Sequence, residues 1–447
     1  MMKTIAAIST PIGAGGIGIV RVSGNDALGI ADAIFNFGKQ TSCVRTGGQS
    51  VLQKWEPLKM HFGTFVAKDF CDRGYAVYFP AAQAYTGEDT VEFYLHGGVR
   101  IMQGALNTLL EEGAALAEHG EFTKRAFMSG RLSLADAEGV IDMINADSSA
   151  GLRAAYRLMD GKVAGAVDVI FKQLEDVIAG LEATLDYPDE TEDEVLPPLA
   201  GEIDECISKI DALLATAAQG RIAKHGINVV LAGSVNAGKS SLMNAMLKKE
   251  RAIVADVAGT TRDTVEDSLE YNGVRINLVD TAGLRDSDDV VEAQGVVRAK
   301  RAVEGADIVL HVIDKTAPCD DGFDFYGKKV FMVFNKCDIG GFAIPRIAYA
   351  FAVSAKTGEG VDSLINAIAS TYNERSGGGE LITNERHISA LLSAKRALES
   401  AKQGLAYTVD CTLIDLRQAY DALGQITGKT ATEDIVDAIF SKFCVGK

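Results

Sequence analysis

Paired cysteine motifs are missing from this chain. Its seven cysteines form no CxxC pair and no Cys/His cluster with zinc-ligand spacing, which excludes a zinc ribbon or finger and predicts reduced thiols. No uninterrupted apolar run reaches the ~18 residues that a membrane span requires. No signal peptide is evident: Thr4–Ile8 is a short apolar run that passes into a Pro/Gly-rich turn, so it reads as a first strand. These absences predict a cytoplasmic protein without a membrane partner. Positive charge is also scarce. Lys and Arg number 44 against 61 Asp and Glu, a net charge of −17. That excludes unaided, tight nucleic-acid binding through a broad basic face, but not binding beside a partner that carries the basic surface. Internal repeats of roughly 20–50 residues and low-complexity tracts are absent as well.

What is present is a chain of 447 residues, 47% hydrophobic and 23% charged, enough for several globular domains. The first part mixes short β-rich runs (Ile17–Val22, Tyr75–Phe79, Val91–His96) with a helical stretch, Ile101–Glu111, and reads as an α+β domain over 1–120. From Glu121 apolar residues recur at helical spacing, as in Ala135–Ile144 and Val163–Leu185. The acidic, Pro-bearing stretch Asp186–Pro198 is expected to break these helices as a solvated loop, before helix resumes at Ile203–Ala217. This gives a first helical segment over 121–220. An α/β alternation fills 221–375, and a second helical segment, 376–447, opens on a Gly377–Gly379 linker before helices return from Glu385. The expected fold is therefore multidomain, α+β and α/β, with a discontinuous helical domain that carries an inserted α/β domain.

The inserted domain holds the chemistry. Ile227–Ala232 is a buried-strand run that leads into Gly233-Ser234-Val235-Asn236-Ala237-Gly238-Lys239-Ser240, a G-x4-G-K-S loop, and Ser241–Leu247 begins a helix. Strand, loop and helix are the context a phosphate-binding loop needs. Its backbone N–H groups can converge on phosphates, Lys239 can reach the β- and γ-phosphates, and the Ser240 hydroxyl can ligate Mg²⁺. Gly259-Thr260-Thr261 follows, with Thr261 as the second Mg²⁺ ligand. Asp280-Thr281-Ala282-Gly283 ends a further strand, Asp280 holding Mg²⁺ through water and Gly283 sensing the γ-phosphate. Asn335-Lys336-Cys337-Asp338 supplies a carboxylate that can accept two N–H bonds from guanine; adenine offers no such pair. Ser354-Ala355-Lys356 closes the base pocket. Each motif alone is weak, but together and in order they predict a GTPase. The residues assigned to GTP are Asn236, Ala237, Gly238, Lys239, Ser240 and Ser241; Ala255, Asp256, Val257, Ala258, Gly259, Thr260 and Thr261; Asp280 to Gly283; Asn335, Lys336 and Asp338; and Ser354, Ala355 and Lys356.

One expected residue is missing. In Ras-like GTPases a glutamine after the D-x-x-G glycine orients the attacking water, and this chain has Leu284 there. Asn236 offers an amide beside the phosphates that can ligate a monovalent cation, whose charge would stand where an arginine finger usually acts. On local grounds Glu292 reads either as an exposed switch-region carboxylate, the favoured choice, or as the group that positions water. Two motifs are set aside. Gly13–Gly18 satisfies G-x-G-x-x-G but runs into a β-branched stretch rather than a helix. Gly424–Thr430 resembles a second phosphate loop with the wrong spacing, and reads as a helix–helix turn.

Three segments resemble a known family: Gly13–Gly24, Gly120-Glu121-Phe122-Thr123-Lys124-Arg125-Ala126-Phe127, and the terminal Phe443-Cys444-Val445-Gly446-Lys447. With the inserted GTPase domain they are similar to the MnmE (TrmE) family of tRNA-modification GTPases, over essentially the whole chain. The resemblance implies an N-terminal domain that binds tetrahydrofolate and forms a homodimer, and a Ras-like P-loop G domain inserted in the helical domain. It implies a flavoprotein partner, MnmG (GidA), in a heterotetramer. It also implies transfer of an aminomethyl or carboxymethylaminomethyl group to C5 of the tRNA wobble uridine, U34, with the carbon drawn from 5-formyl- or 5,10-methylene-tetrahydrofolate. GTP hydrolysis would depend on K⁺ and on pairing of G domains, which explains Leu284. The K⁺ ligands would be Asn236, Ala255, Val257 and Thr260, and Glu292 would orient water, reversing the local choice. Folate contacts would fall on Arg21, Glu92, Arg131 and Lys447. Cys444 would act as nucleophile or acid/base near the folate. Glu118-His119 stands where the family commonly has Arg-Pro, with no consequence legible from sequence. A ribosome-assembly GTPase switch is the alternative reading, disfavoured by the lack of a basic GxxG module after the G domain.

Overall fold

The computed structural model describes residues 2–38, 54–186, 188–249, 267–280, 301–316, 325, 327–339, 343, 345, 347–372, 380–405 and 409–447. Two compact units account for them: Met1–Ile141 with Asp421–Lys447, and Asp142–Tyr420.

The first unit is built on a seven-stranded sheet. Its strands are β1 (Ile5–Ile8), β2 (Gly15–Ser23), β3 (Phe35–Phe37), β4 (His61–Val66), β5 (Cys71–Phe79), β6 (Thr90–Gly97) and β7 (Ala115–Leu116), in the order β3-β4-β5-β6-β2-β1-β7. All pairings are antiparallel except the short β1–β7 contact. The period of two is plain on β2: Val20 and Val22 are fully buried and Arg21 between them points to the other face. Helices α1 (Ala27–Ile34) and α2 (Val99–Glu111) cover the apolar face, where Val20, Phe35, Phe65, Phe93 and Leu109 form the core. Gly13–Gly18 enters β2 and opens no helix, so the dinucleotide fingerprint has no structural basis here. Helices α3 (Glu121–Met128) and α4 (Leu134–Asn145) follow.

The second unit contains α5 (Ser149–Met159), α6 (Lys162–Asp186), α7 (Pro188–Leu214) and α8 (Ala217–His225), then a six-stranded sheet. That sheet has the order β13 (Ala350–Ala352), β12 (Lys329–Asn335), β11 (Ile308–Asp314), β8 (Ile227–Ala232), β10 (Val274–Asp280), β9 (Asp267–Tyr271). Only β9 runs antiparallel. The parallel strands are apolar on both faces: α9 (Lys239–Lys249) and α10 (Val361–Ala369) pack on one, against Val229 and Leu231, and Ala302, Val303 and Ala306 pack on the other, against Val230 and Val309. Helix α11 (Glu385–Gly404) and most of α12 (Val409–Thr427) complete the unit, while α13 (Glu433–Phe440) belongs with the first. Gly424–Thr430 is the expected turn only in part: Gly424–Thr427 are the end of α12, and the turn to α13 begins at Gly428, at φ 96°.

One expectation is corrected. The acidic stretch expected as a loop is helical in its described residues: α6 runs to Asp186, and Pro188–Leu214 is a helix that packs along α6. Proline is tolerated in a first turn, where the missing N–H had no partner. Farther along, Leu199, Ile203, Cys206 and Ile210 are buried, so packing carries the helix past Pro197 and Pro198.

Candidate functional site

The phosphate loop sits where the parallel strands end. Gly233 has φ 141°, and a Cβ on it would meet the Val312 carbonyl oxygen at 2.2 Å. Gly238 has φ 91°, and its Cβ would lie 2.3 Å from Asn335 Nδ2. Both ends of the loop therefore require glycine. Asn236 also takes a left-handed conformation, φ 64°, and is exposed. Lys239 is 7% exposed, and its Nζ donates to the Gly233 and Ser234 carbonyls at 3.0 and 2.9 Å, turned back over the loop. Ser240 Oγ donates to Asp280 Oδ2 at 2.5 Å. Hydroxyl and carboxylate, brought together from the first turn of α9 and the end of β10, are an oxygen donor set suited to a hard divalent cation.

Asn335 joins the loops of the base pocket. It is 2% exposed, its Nδ2 donates to the Ala237 carbonyl at 2.9 Å, and its Oδ1 accepts from the Ala355 N–H at 3.0 Å. Lys336, at φ 62°, reaches Asp314 at 2.6 Å. Burial opposes ionisation of Asp314, but hydrogen bonds from Lys336 and Thr316 outweigh it and hold the carboxyl below its usual range. Ser354 Oγ, fully buried, donates to Asp338 Oδ1 at 2.6 Å and keeps that carboxyl below its usual range too. The residues face a cleft of about 750 Å³, lined by Gly238, Ser241, Asn335, Lys336, Asp338, Ala355 and Lys356 among others. That volume suits a nucleotide-sized ligand.

Thus the structure brings together Asn236 to Ser241, Asp280, Asn335, Lys336, Asp338 and Ser354 to Lys356. Ala255 to Thr261, Thr281 to Gly283, Leu284 and Glu292 lie outside the described residues. No group of three or more His, Cys, Asp or Glu side chains with metal-holding geometry occurs among the described residues.

The first unit assembles a second cluster. Arg21 and Glu92 face each other across β2 and β6, and Arg21 Nε and Nη2 both lie 2.7 Å from Glu92 Oε1. Tyr94 Oη donates to Glu92 Oε2 at 2.7 Å, and burial with that bond pushes the phenol up to about 12. The Arg21 guanidinium stands 5.4 Å from the centre of the Phe122 ring. Arg131 is not part of this pair: its Nη2 donates to the Ala81 carbonyl at 2.6 Å. Lys447 is exposed at the chain end. The C-terminal tail belongs to the same unit, and Cys444 on it is a free, exposed thiol. Cys206, Cys337 and Cys411 are also free, whereas Cys71 is disulfide-bonded, which corrects the expectation of reduced thiols at that position.

Sequence reasoning missed Tyr94, and met His119 only as a departure from the family pattern. His119 Nδ1 lies 2.8 Å from the Phe443 carbonyl oxygen, and His119 pairs with Val445 in an antiparallel bridge. Alternation along β6 could have marked Tyr94, two residues from Glu92 on the same face. Nothing local marks a contact so distant in sequence as that of His119.

The sheet order, the glycine-bounded loop and the guanine-reading turn define a Ras-like P-loop GTPase. Comparison with known proteins takes this further. A family described as "MnmE helical domain" matches residues 134–444, and one described as "GTP-binding protein TrmE N-terminus" matches residues 4–131. The chain is 39% identical to the tRNA modification GTPase MnmE of Carboxydothermus hydrogenoformans over 100% of both proteins. It is also 39% identical to that of Caldicellulosiruptor saccharolyticus over 99% of each. The solved structure of Aquifex aeolicus Era bound to GDP·AlF4⁻ aligns at 28% identity over 38% of this chain and 65% of its own, with a TM-score of 0.27. The chain belongs to the MnmE family.

Proposed function

We propose that this protein hydrolyses GTP in the service of tRNA modification. It acts in the cytoplasm, as a homodimer, in a heterotetramer with an MnmG (GidA) flavoprotein. The product is an aminomethyl or carboxymethylaminomethyl group on C5 of the wobble uridine of certain tRNAs. The domains are 1–120 for folate binding and dimerisation, 121–220 and 376–447 for the helical domain, and 221–375 for the G domain. The observation that carries this reading is the 39% identity to an MnmE protein over 100% of both chains.

The residues fit the ligands so assigned. Asp338 reads the guanine edge, and the Ser354 hydroxyl orients its carboxylate by a hydrogen bond. Lys239 neutralises phosphate charge when it turns from the Gly233 and Ser234 carbonyls. Ser240 and Thr261 hold Mg²⁺, with Asp280 beside Ser240. Bound Mg²⁺ supplies charge neutralisation at the β- and γ-phosphates. Asn236, Ala255, Val257 and Thr260 hold K⁺, and Glu292 orients water in place of the residue absent at Leu284. In the first unit, Arg21 and Glu92 beside Phe122 suit a planar ring that exchanges hydrogen bonds, as the 5-formyl- or 5,10-methylene-tetrahydrofolate pterin does. Arg131 and Lys447 supply positive charge for its acidic tail. Cys444 serves as nucleophile or acid/base toward the folate or the uridine, from an exposed thiol.

GTP turnover by the full chain in KCl and NaCl tests this. Clear stimulation by K⁺ is expected. Equal rates in the two salts would overturn the potassium assignment and with it the explanation of Leu284.

A further inference from the structure

We propose that His119 is a positioning residue that clamps the C-terminal tail and so fixes where the Cys444 thiol is presented. The inference rests on the role given to Cys444 above.

The tail is anchored on both sides of Cys444. Before it, Phe443 is 3% exposed and packs with Phe440 and Leu134. After it, Gly446 is buried at φ 96°, where a Cβ would come within 2.2 Å of the Ile8 carbonyl oxygen. Between these points Cys444 remains exposed. Two hydrogen bonds then hold the backbone around the thiol. His119 Nδ1 lies 2.8 Å from the Phe443 carbonyl oxygen, and the Gly120 N–H donates to the Cys444 carbonyl at 3.3 Å. A carbonyl only accepts, so Nδ1 carries the hydrogen, and it does so in either charge state of the ring. Gly120 must be glycine: at φ 65° its Cβ would lie 2.9 Å from the Phe440 carbonyl oxygen and from Phe443 Cβ.

The same short stretch reaches the other cluster. His119 and Gly120 grip the tail, and Phe122, fully buried, supports the Arg21 guanidinium that pairs with Glu92. The backbone of His119–Phe122 thus sets the tail in register with the Arg21–Glu92 pair. A proline at position 119 would offer no side-chain donor, so this clamp is particular to a chain with histidine there.

The test uses the full chain with His119→Ala and His119→Asn, whose amide N–H can replace Nδ1–H. Hydrogen exchange of the C-terminal peptide is followed by mass spectrometry, and wobble-uridine modification is followed in complemented cells by nucleoside mass spectrometry. His119→Ala should raise tail exchange roughly fivefold, the effect of one lost hydrogen bond. It should lower modification while leaving GTP turnover unchanged, and His119→Asn should restore both. Unchanged exchange in His119→Ala would overturn the clamp. Faster exchange with full modification would overturn the positioning role. Full modification by Cys444→Ser would overturn the role of the thiol itself, while the exchange result still decides the clamp.

Discussion

The nucleotide cleft and the Arg21–tail cluster are assembled in opposite ways. In the cleft, each contribution is a short contiguous loop at a strand end, and neighbouring loops are tied by one buried side chain, Asn335. In the first unit, single residues far apart in sequence meet: Arg21 with Glu92, and His119 with Phe443. Loops that bind through their own backbone demand glycine at fixed places and leave a sequence signature. Pairs that meet through the sheet and the chain end leave almost none.

The largest effect should come from the base-reading carboxylate. Asp338→Asn should weaken GTP binding roughly 100-fold or more, since two charge-assisted bonds are lost. Binding should return for xanthosine triphosphate, whose edge offers an acceptor to the new amide. A titration showing unchanged GTP affinity would remove Asp338 from the site. Next is Gly238→Ala, whose Cβ would press on Asn335 Nδ2 at 2.3 Å. It should cost about 1–3 kcal/mol of nucleotide affinity through strain at a positive φ and a displaced Asn335, measured by the same titration.

The contrast explains what was legible. The G-x4-G-K-S loop, Asp280 and the Asn335–Asp338 turn were readable because φ, spacing and strand context are local, and β8 spans Ile227–Ala232 as the apolar run indicated. Arg21 and Glu92 came only through family resemblance, although their pairing follows from strand register. His119 was noticed as a departure and could not be interpreted, because its partner lies at the other end of the chain. The acidic run Asp186–Pro198 misled because proline was read as a breaker, whereas long-range packing on α6 sustains that helix.

Smaller effects sharpen the comparison. Arg21→Ala should leave the Glu92 carboxylate, with its side chain only 12% exposed, without its cation. A loss of about 1–3 kcal/mol is expected, seen as lower thermal stability of the first unit with nucleotide affinity unchanged. An equal loss of GTP affinity would break the separation of the two clusters. Ser354→Ala should show in the pH dependence of binding. Ser354 depresses the Asp338 pKa, so guanine binding should persist as pH falls through the ordinary carboxylate range and fail only below it. Without the hydroxyl, the acid limb of binding should move upward, and an unmoved limb would assign the depression elsewhere.

The most direct measurement is nucleoside mass spectrometry of tRNA from a deletion strain complemented with the wild-type chain, Asp338→Asn or Cys444→Ser. The wild-type chain should restore the modified wobble uridine and neither variant should, because one lacks the GTP cycle and the other the thiol. Full modification in the Asp338→Asn strain would contradict a GTP hydrolase that serves tRNA modification.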